Sequence, residues 1–277
     1  MPDQYEIDFS LGIAGVALLR SALSADVELK RALRRELTAL LKLGRRSTTT
    51  NRSPRELSAG AAYARSAATY DRGINPLALV EQPAVEAILQ TLPPGHVLDA
   101  GCGTGRYTRI LRSLGHHVVA ADLSPEMLRQ LPGRVGDRVV AQLQALPFPD
   151  RSFDLVVCSL VLTHEPDLLG PVSELARVTR RGGTVLIADM HPTTVLVTGQ
   201  APFSGSDGEV LLLRNFIHLA SDYLAACRSA GLALVDLFEP RWTAEAGAHF
   251  DGGLAPRAIV PALVGLPAAI VLRLVRR

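Results

Sequence analysis

Apolar residues change their spacing along this chain, and the change divides it. Over 10–43 they recur every three to four positions, with Leu29, Leu33, Leu37, Leu40 and Leu41 on one stripe and Lys30, Arg31, Arg34 and Arg35 opposite. That pattern predicts helix in one or two pieces, an arm ahead of the main domain. The next stretch, 45–58, turns to Arg, Ser, Thr, Asn and Pro and reads as a mobile linker. Helical spacing returns over 59–70 and 80–92 and stops at Pro93-Pro94-Gly95. Beyond that break, short β-rich runs at 96–99, 118–121, 139–141, 154–158 and 184–188 alternate with helical stretches. Such alternation predicts a parallel sheet with crossover helices. Runs at 234–239 and 269–275 bring the strands to seven. The expected architecture is α/β, a doubly wound, Rossmann-like seven-stranded sheet with an antiparallel last strand. Residues 1–58 supply the arm and linker, and 59–277 the main domain.

Composition narrows the partners. Lys and Arg total 29 and Asp and Glu 27, so the net charge of +2 gives no general attraction to nucleic acid or anionic lipid. The basic side of the arm is explained more simply as a solvated face or an oligomer contact, which leaves a homo-oligomer through the arm as an expectation. Three scattered cysteines, Cys102, Cys158 and Cys227, suit a reduced compartment better than a disulfide framework and offer no metal-ligand spacing. The acidic start has the wrong charge for a signal peptide, and the apolar run 258–272 is short and broken by Pro261 and Pro267, so no membrane span and a cytoplasmic location are expected. Only Lys30 and Lys42 among the basic residues are lysine, a bias that suggests a GC-rich bacterial source.

The chemistry concentrates at 96–109, HVLDAGCGTGRYTR, where an apolar strand ends in an acid, a glycine turn follows and a helix begins. Gly101, Gly103 and Gly105 permit a sharp turn and let backbone approach a ligand without a Cβ. The helix start beyond them offers unpaired N–H groups. Dinucleotide sites use a related turn, but their third glycine falls where this chain has Arg106, too large for that close helix-to-strand packing. Asp122 ends the second strand, where a carboxylate can accept from both hydroxyls of a ribose. A helix-cap role ahead of Ser124-Pro125 is the alternative for Asp122 alone.

The runs 97–105, 122–128, 145–157 and 181–189 together resemble the motifs of class I S-adenosylmethionine-dependent methyltransferases, most closely the ubiquinone/menaquinone-methyltransferase-like branch with its many small-molecule and natural-product enzymes. The resemblance implies that Gly101 and Gly103 face the methionine portion of S-adenosylmethionine, that Asp122 holds the ribose, and that Leu123 and Met127 flank the adenine. Asp99, Cys102, Gly105, Leu143 and Ser159 complete the implied cofactor contacts. Where many relatives place an Asp four residues before a Leu-Pro-Phe run, this chain has Gln142, whose amide oxygen can also accept. Tyr63, Tyr70 and Asp71 resemble a lid element ahead of the core, with Tyr70 the better candidate and amphipathic packing the alternative for Tyr63.

Ligands in open α/β sheets bind beyond the carboxyl ends of the strands, which directs attention to 159–167 and 191–219. The second is long for a loop and reads as a cap over a substrate. His164, His191 and His218 fall in these segments. His164 resembles a histidine that fixes the local helix in relatives. His218 at the end of the cap is the leading candidate for a general base and His191 the second, each with a structural role as the alternative. The expected function is methyl transfer to a small molecule, a specialised metabolite of the natural-product kind. Two rivals stand beside it. One is a related protein that uses the bound cofactor for cyclisation or regulation. The other is a nucleic-acid methyltransferase, disfavoured because CSLVLTHE after the fourth strand lacks the Asn/Asp-Pro-Pro-Tyr/Phe run that grips a flipped base.

Overall fold

The computed structural model describes residues 4–22, 24–46, 55–133, 137–199, 201–204, 210–250 and 253–277. Seven strands form the main sheet: β1 His96–Ala100, β2 His117–Asp122, β3 Asp137–Val140, β4 Phe153–Ser159, β5 Thr179–Met190, β6 Leu232–Phe238 and β7 Ala269–Arg276. Their order across the sheet is β3-β2-β1-β4-β5-β7-β6. The pairs among β1 to β5 are parallel, and β7 runs antiparallel to both β5 and β6. The parallel part of this doubly wound sheet is the one the alternation predicts, and the last strand is antiparallel as expected for the architecture. Its central strands are nearly continuous apolar runs because helices cover both faces.

On one face Leu175 and Ala176 of α7 (Leu169–Val178) and Tyr223, Ala226 and Cys227 of α9 (Ala220–Ser229) pack against Val156, Ile187 and Leu272. On the other, Val85, Ile88 and Leu89 of α4 (Pro76–Leu89) and Tyr107 and Leu111 of α5 (Arg106–Ser113) cover Val97, Val118 and Leu186. Asn75 caps α4 by accepting from Leu77 and Ala78 N–H, and Pro76 sits at the first turn, so α4 starts ahead of the position its spacing suggests.

The helical arm is two helices, α1 Gln4–Arg20 and α2 Val27–Arg46. Ile13, Ala14 and Ala17 of α1 and Leu33 and Leu40 of α2 enter a second core with Trp242 and with Ile259 and Leu263 of α11 (Pro256–Leu263). Arg20 donates to the carbonyls of Ala262 at 2.6 Å and Val264 at 2.8 Å, satisfying the orphan acceptors at the end of α11. Leu41, expected on the apolar stripe, is exposed, since the seam needs only Leu33 and Leu40 with Leu29 and Leu37 beside them.

The linker expected over 45–58 is shorter than its composition suggests. Helix α2 runs through Arg46, and Arg55–Leu57 is a strand paired parallel to Val210–Leu213, which pairs in turn with Ala201–Ser204. Residues 47–54 lie outside the described residues, as do 205–209 within the expected cap. The described part of that cap comprises α8 (Pro192–Thr198), those two strands and the run into α9. Helix α3 (Ala59–Ser66) follows the edge strand and packs on α6 (Pro125–Gln130).

Candidate active site

Strand order reverses direction between β1 and β4, and a cavity of about 360 Å³ opens there, at the carboxyl ends of β1, β2 and β4. That is the switch point at which doubly wound sheets bind ligands, and the size suits a small molecule. The glycine loop forms its floor. Gly101 and Cys102 both donate to the Ala121 carbonyl, at 2.8 and 2.9 Å, which ties the loop to the end of β2.

The three glycines have different reasons to be glycine. All have positive φ, +73° at Gly101, +54° at Gly103 and +89° at Gly105. A Cβ on Gly101 would overlap Val161, and one on Gly105 would lie 2.5 Å from Leu131. A Cβ on Gly103 would meet no atom within 4 Å. Gly101 and Gly103 line the cavity, whereas Gly105 does not: it sits at the N-cap of α5 and serves the packing of that helix.

Two carboxylates border the loop. Asp122 accepts from Gly103 N–H and from Ser124 N–H, each at 2.8 Å, and so braces the loop while keeping lone pairs for a ligand hydroxyl. The cap of α6 is supplied by Ser124, whose hydroxyl accepts from Met127 N–H. Burial pushes the Asp122 carboxyl upward, against the pull of those backbone donors. Asp99 accepts from the Thr108 hydroxyl at 2.5 Å, and burial pushes it up to about 6. Burial also pushes the Cys102 thiol up, so it contributes surface and no thiolate.

Of the remaining expected residues, Tyr70, Leu123, Met127, Gln142, Leu143 and Ser159 all line the cavity. Tyr70 meets Tyr63 edge-on at 6.0 Å, and with Ala59 and Gly60 of α3 they wall the cavity. Leu123 reaches under Gly60, so close that a Cβ there would touch it at 3.4 Å.

The far end of the cavity is built on the segment after β4. Leu160 holds φ +57°, a left-handed value uncommon for a branched residue, while its N–H donates to Ala188 O at 2.8 Å. A 3-10 turn, Leu162–His164, follows. Buried Asp189 at the end of β5 accepts from Thr163 N–H at 2.8 Å and anchors that turn; burial pushes its carboxyl up to about 7. His164 then faces the cavity with Nε2 2.8 Å from the Tyr63 hydroxyl and Nδ1 3.3 Å from the Arg214 carbonyl. A carbonyl only accepts, so Nδ1 carries the proton and Nε2 accepts from Tyr63. Burial lowers the His164 pKa from its ordinary 6.5.

Neither histidine favoured by sequence position reaches the cavity wall. His218 spends its Nε2 proton on the Glu165 carbonyl at 2.7 Å and packs edge-on against Tyr223. His191 caps α8 by accepting from Thr193 N–H at Nδ1, and its Nε2 lies 3.2 Å from Glu239. The expectation that His218 or His191 reaches the cavity is not met: both rings are engaged in holding the backbone around the site, and His164 is the histidine on the wall.

Sequence reasoning missed a buried polar cluster as well. Glu81 of α4 is fully buried; it accepts from the Tyr107 hydroxyl at 2.6 Å and the Ser159 hydroxyl at 3.1 Å, and pairs with Arg106 at 2.5 Å. Arg106 lines the cavity beside Asp99. The only advance signal was an acid within an apolar helix. Among the described residues no group of His, Cys, Asp and Glu is placed to hold a metal ion, the three cysteines are unpaired and buried, and no helix is long and apolar enough to cross a membrane.

A cavity at the switch point, a glycine floor open to a ligand above Gly103 and an acid at the end of β2 together define a nucleoside-binding α/β protein. Comparison with known proteins gives the particular class. A family model described as a methyltransferase domain matches residues 98–187. The chain is 34% identical to the malonyl-[acyl-carrier protein] O-methyltransferase of Herminiimonas arsenicoxydans over 66% of this chain and 69% of that protein. It is 32% identical to the corresponding enzyme of Serratia marcescens over 58% of this chain and 64% of the relative, somewhat less than two thirds of that protein's length. A methyltransferase structure from Mesorhizobium loti shares the fold, with a TM-score of 0.54 at 22% identity, covering 71% of this chain and 97% of the other. This chain belongs to the class I S-adenosylmethionine-dependent methyltransferases.

The residues present fit that cofactor. A side chain at position 103 would fill the cradle that the glycine leaves, and Asp99 and Asp122, both on the cavity wall, offer carboxylate oxygens to hydroxyl or ammonium donors of a ligand.

Proposed function

We propose that this protein transfers a methyl group from S-adenosylmethionine to an oxygen or nitrogen of a small, uncharged metabolite of the natural-product kind, with His164 as the proton acceptor. The observation that carries the reading is the joining of two sites in one cavity: the glycine floor with Asp122 at one end and the Tyr63–His164 pair at the other. The bound cofactor supplies an already activated methyl group, so the protein's share is alignment, exclusion of water and removal of one proton. Tyr63 and Tyr70 on the cavity wall are the side chains placed to cover a bound ligand. The Tyr63 hydroxyl, donating to His164 Nε2, is placed to take an acceptor's proton as it passes its own to the imidazole, and the Arg214 carbonyl keeps Nδ1 protonated. Burial lowers the His164 pKa, so at neutral pH the ring is unprotonated and its Nε2 is able to accept a proton.

The named activity of the relatives, on a malonyl-carrier carboxyl, suggests a second acceptor. A carboxylate needs no base but needs a cation. Among the described residues lining the cavity the only Lys or Arg is Arg106, already paired with Glu81, while Glu165 adds negative charge at the His164 end. This arrangement favours a neutral hydroxyl or amine. The test is product mass after incubation of purified protein and cofactor with a panel of small phenols, alcohols and amines, beside malonyl-loaded carrier protein. Gain of one methyl on members of the panel supports the reading; turnover of the carrier substrate alone sinks it.

A further inference from the structure

Helix α2 has two faces, and the fold accounts for only one of them. Leu33 and Leu40, with Leu29 and Leu37 beside them, enter the second core and fix which side of the helix is turned inward. At 3.6 residues per turn, Val27, Arg31, Arg34, Arg35, Leu41, Lys42 and Arg45 fall on one arc of about 120° on the opposite side. All are exposed, the aliphatic ones included: Val27 is 54% and Leu41 53% accessible. Of the cations on this arc only Arg31 pairs with an acid among the described residues, Glu28 at 2.7 Å. Lys30 is engaged elsewhere, donating to the Ala22 carbonyl at 3.0 Å. The net charge of +2 for the whole chain thus conceals a basic stripe, which from Arg31 to Arg45 is about 21 Å long.

Nucleic acid, an acidic protein and an anionic lipid surface all complement such a stripe in charge. A duplex offers phosphates to the cations but nothing that gains from covering Val27 and Leu41. An acidic protein must bring carboxylates spaced to match the cations. Lipid headgroups diffuse to whatever spacing a helix presents, and the boundary beneath them takes aliphatic side chains and the stems of Arg and Lys. A second copy of this chain joined about a two-fold axis through the stripe would set cations against cations.

We propose that this face of α2 rests on an anionic lipid surface, with its cations among the headgroups and Val27 and Leu41 at the boundary beneath them. The contact explains why Leu41 is apolar and yet left out of the second core. None of the residues on the arc lines the cavity, so the contact is separate from the chemistry there and does not rest on the methyl-transfer reading.

Sedimentation of the full chain with vesicles tests it, using phosphatidylcholine alone and an equal mixture of phosphatidylcholine and phosphatidylglycerol. The wild type should bind the mixed vesicles and not the neutral ones. Binding should fall steeply between about 0.1 M and about 1 M salt, as the screening length drops from about 10 Å to about 3 Å. Each basic side chain near such a surface is worth about fivefold in affinity, so the triple variant Arg34→Gln, Lys42→Gln, Arg45→Gln should bind about a hundredfold more weakly. These side chains are exposed and pair with no acid among the described residues, so its thermal unfolding should match the wild type and show that the loss is not one of folding. Leu41→Ser leaves the charge unchanged and should still weaken vesicle binding severalfold, an effect a purely electrostatic contact lacks. Failure of the wild type to bind mixed vesicles, equal binding to neutral ones, or wild-type binding by either variant overturns the proposal. So does tighter binding to duplex DNA or polyglutamate than to the mixed vesicles at the same salt, or a wild-type dimer in solution that the triple variant no longer forms.

Discussion

Adding one methyl group to each glycine of the floor should separate folding from binding. Alanine at a left-handed φ costs roughly 1–2 kcal/mol relative to glycine. At Gly103 nothing lies within 4 Å of the new Cβ, so that cost is the whole effect on the fold. For a chain of this size it amounts to a fall of about 2–8 °C in Tm. At Gly101 the Cβ overlaps Val161, and at Gly105 it lies 2.5 Å from Leu131. Overpacking then adds about 1–3 kcal/mol, for a total near 2–5 kcal/mol and a fall of about 4–20 °C. Binding should follow a different order. The Gly103→Ala methyl stands in the space a ligand must enter, so S-adenosylhomocysteine affinity should drop at least tenfold, about 1.4 kcal/mol. Gly105→Ala, off the cavity wall, should lose stability and keep most of its affinity once folded. Scanning calorimetry of the three variants, followed by titration with S-adenosylhomocysteine well below each Tm, gives both numbers. Wild-type affinity in Gly103→Ala, or a Tm as low as that of Gly101→Ala, would refute the reasoning.

The histidines sort in the same way. His164→Ala should lower kcat by about 10²-fold or more with cofactor affinity nearly intact, seen in single-turnover rates. Because burial lowers the His164 pKa below 6.5 and the neutral ring is the active form, the wild-type rate should rise with pH only on the acid side of 6.5 and be level above it; a limb centred above 6.5 would exclude His164 as the base. His191→Ala removes the cap of α8 and should cost about 0.5–2 kcal/mol in urea unfolding, with kcat less affected than in His164→Ala. An ionised Asp99 attracts the cofactor's ammonium, and its carboxyl titrates at about 6, so S-adenosylhomocysteine affinity should strengthen as pH rises through that value; calorimetry should find this slope absent in Asp99→Asn.

The sheet and the glycine floor were legible in the chain because both rest on short-range physics. A buried parallel strand must be a run of apolar residues, and β1, β2, β4 and β5 each show one. A turn with three left-handed positions must carry glycine, so Gly101, Gly103 and Gly105 announce themselves whatever lies around them. Asp122 was legible for the same reason, as an acid at a strand end beside that turn.

What tertiary structure decided was which side chains share the cavity. Sequence position placed His218 and His191 near the right edge of the sheet, but ring direction depends on partners far along the chain: Glu165 claims His218, and Glu239 with the start of α8 claims His191. His164 gains its place from Tyr63, 101 residues earlier, and from the turn that Asp189 anchors. Glu81 and Arg106 meet across 25 positions, and the difference between Gly103 and Gly105 lies in whether Leu131 is behind the backbone. Local spacing determines backbone conformation because steric limits act between neighbours in sequence. The pairing of buried charges and hydrogen-bond donors is a long-range matter, settled only when the packed helices bring each group to the partner that repays its desolvation.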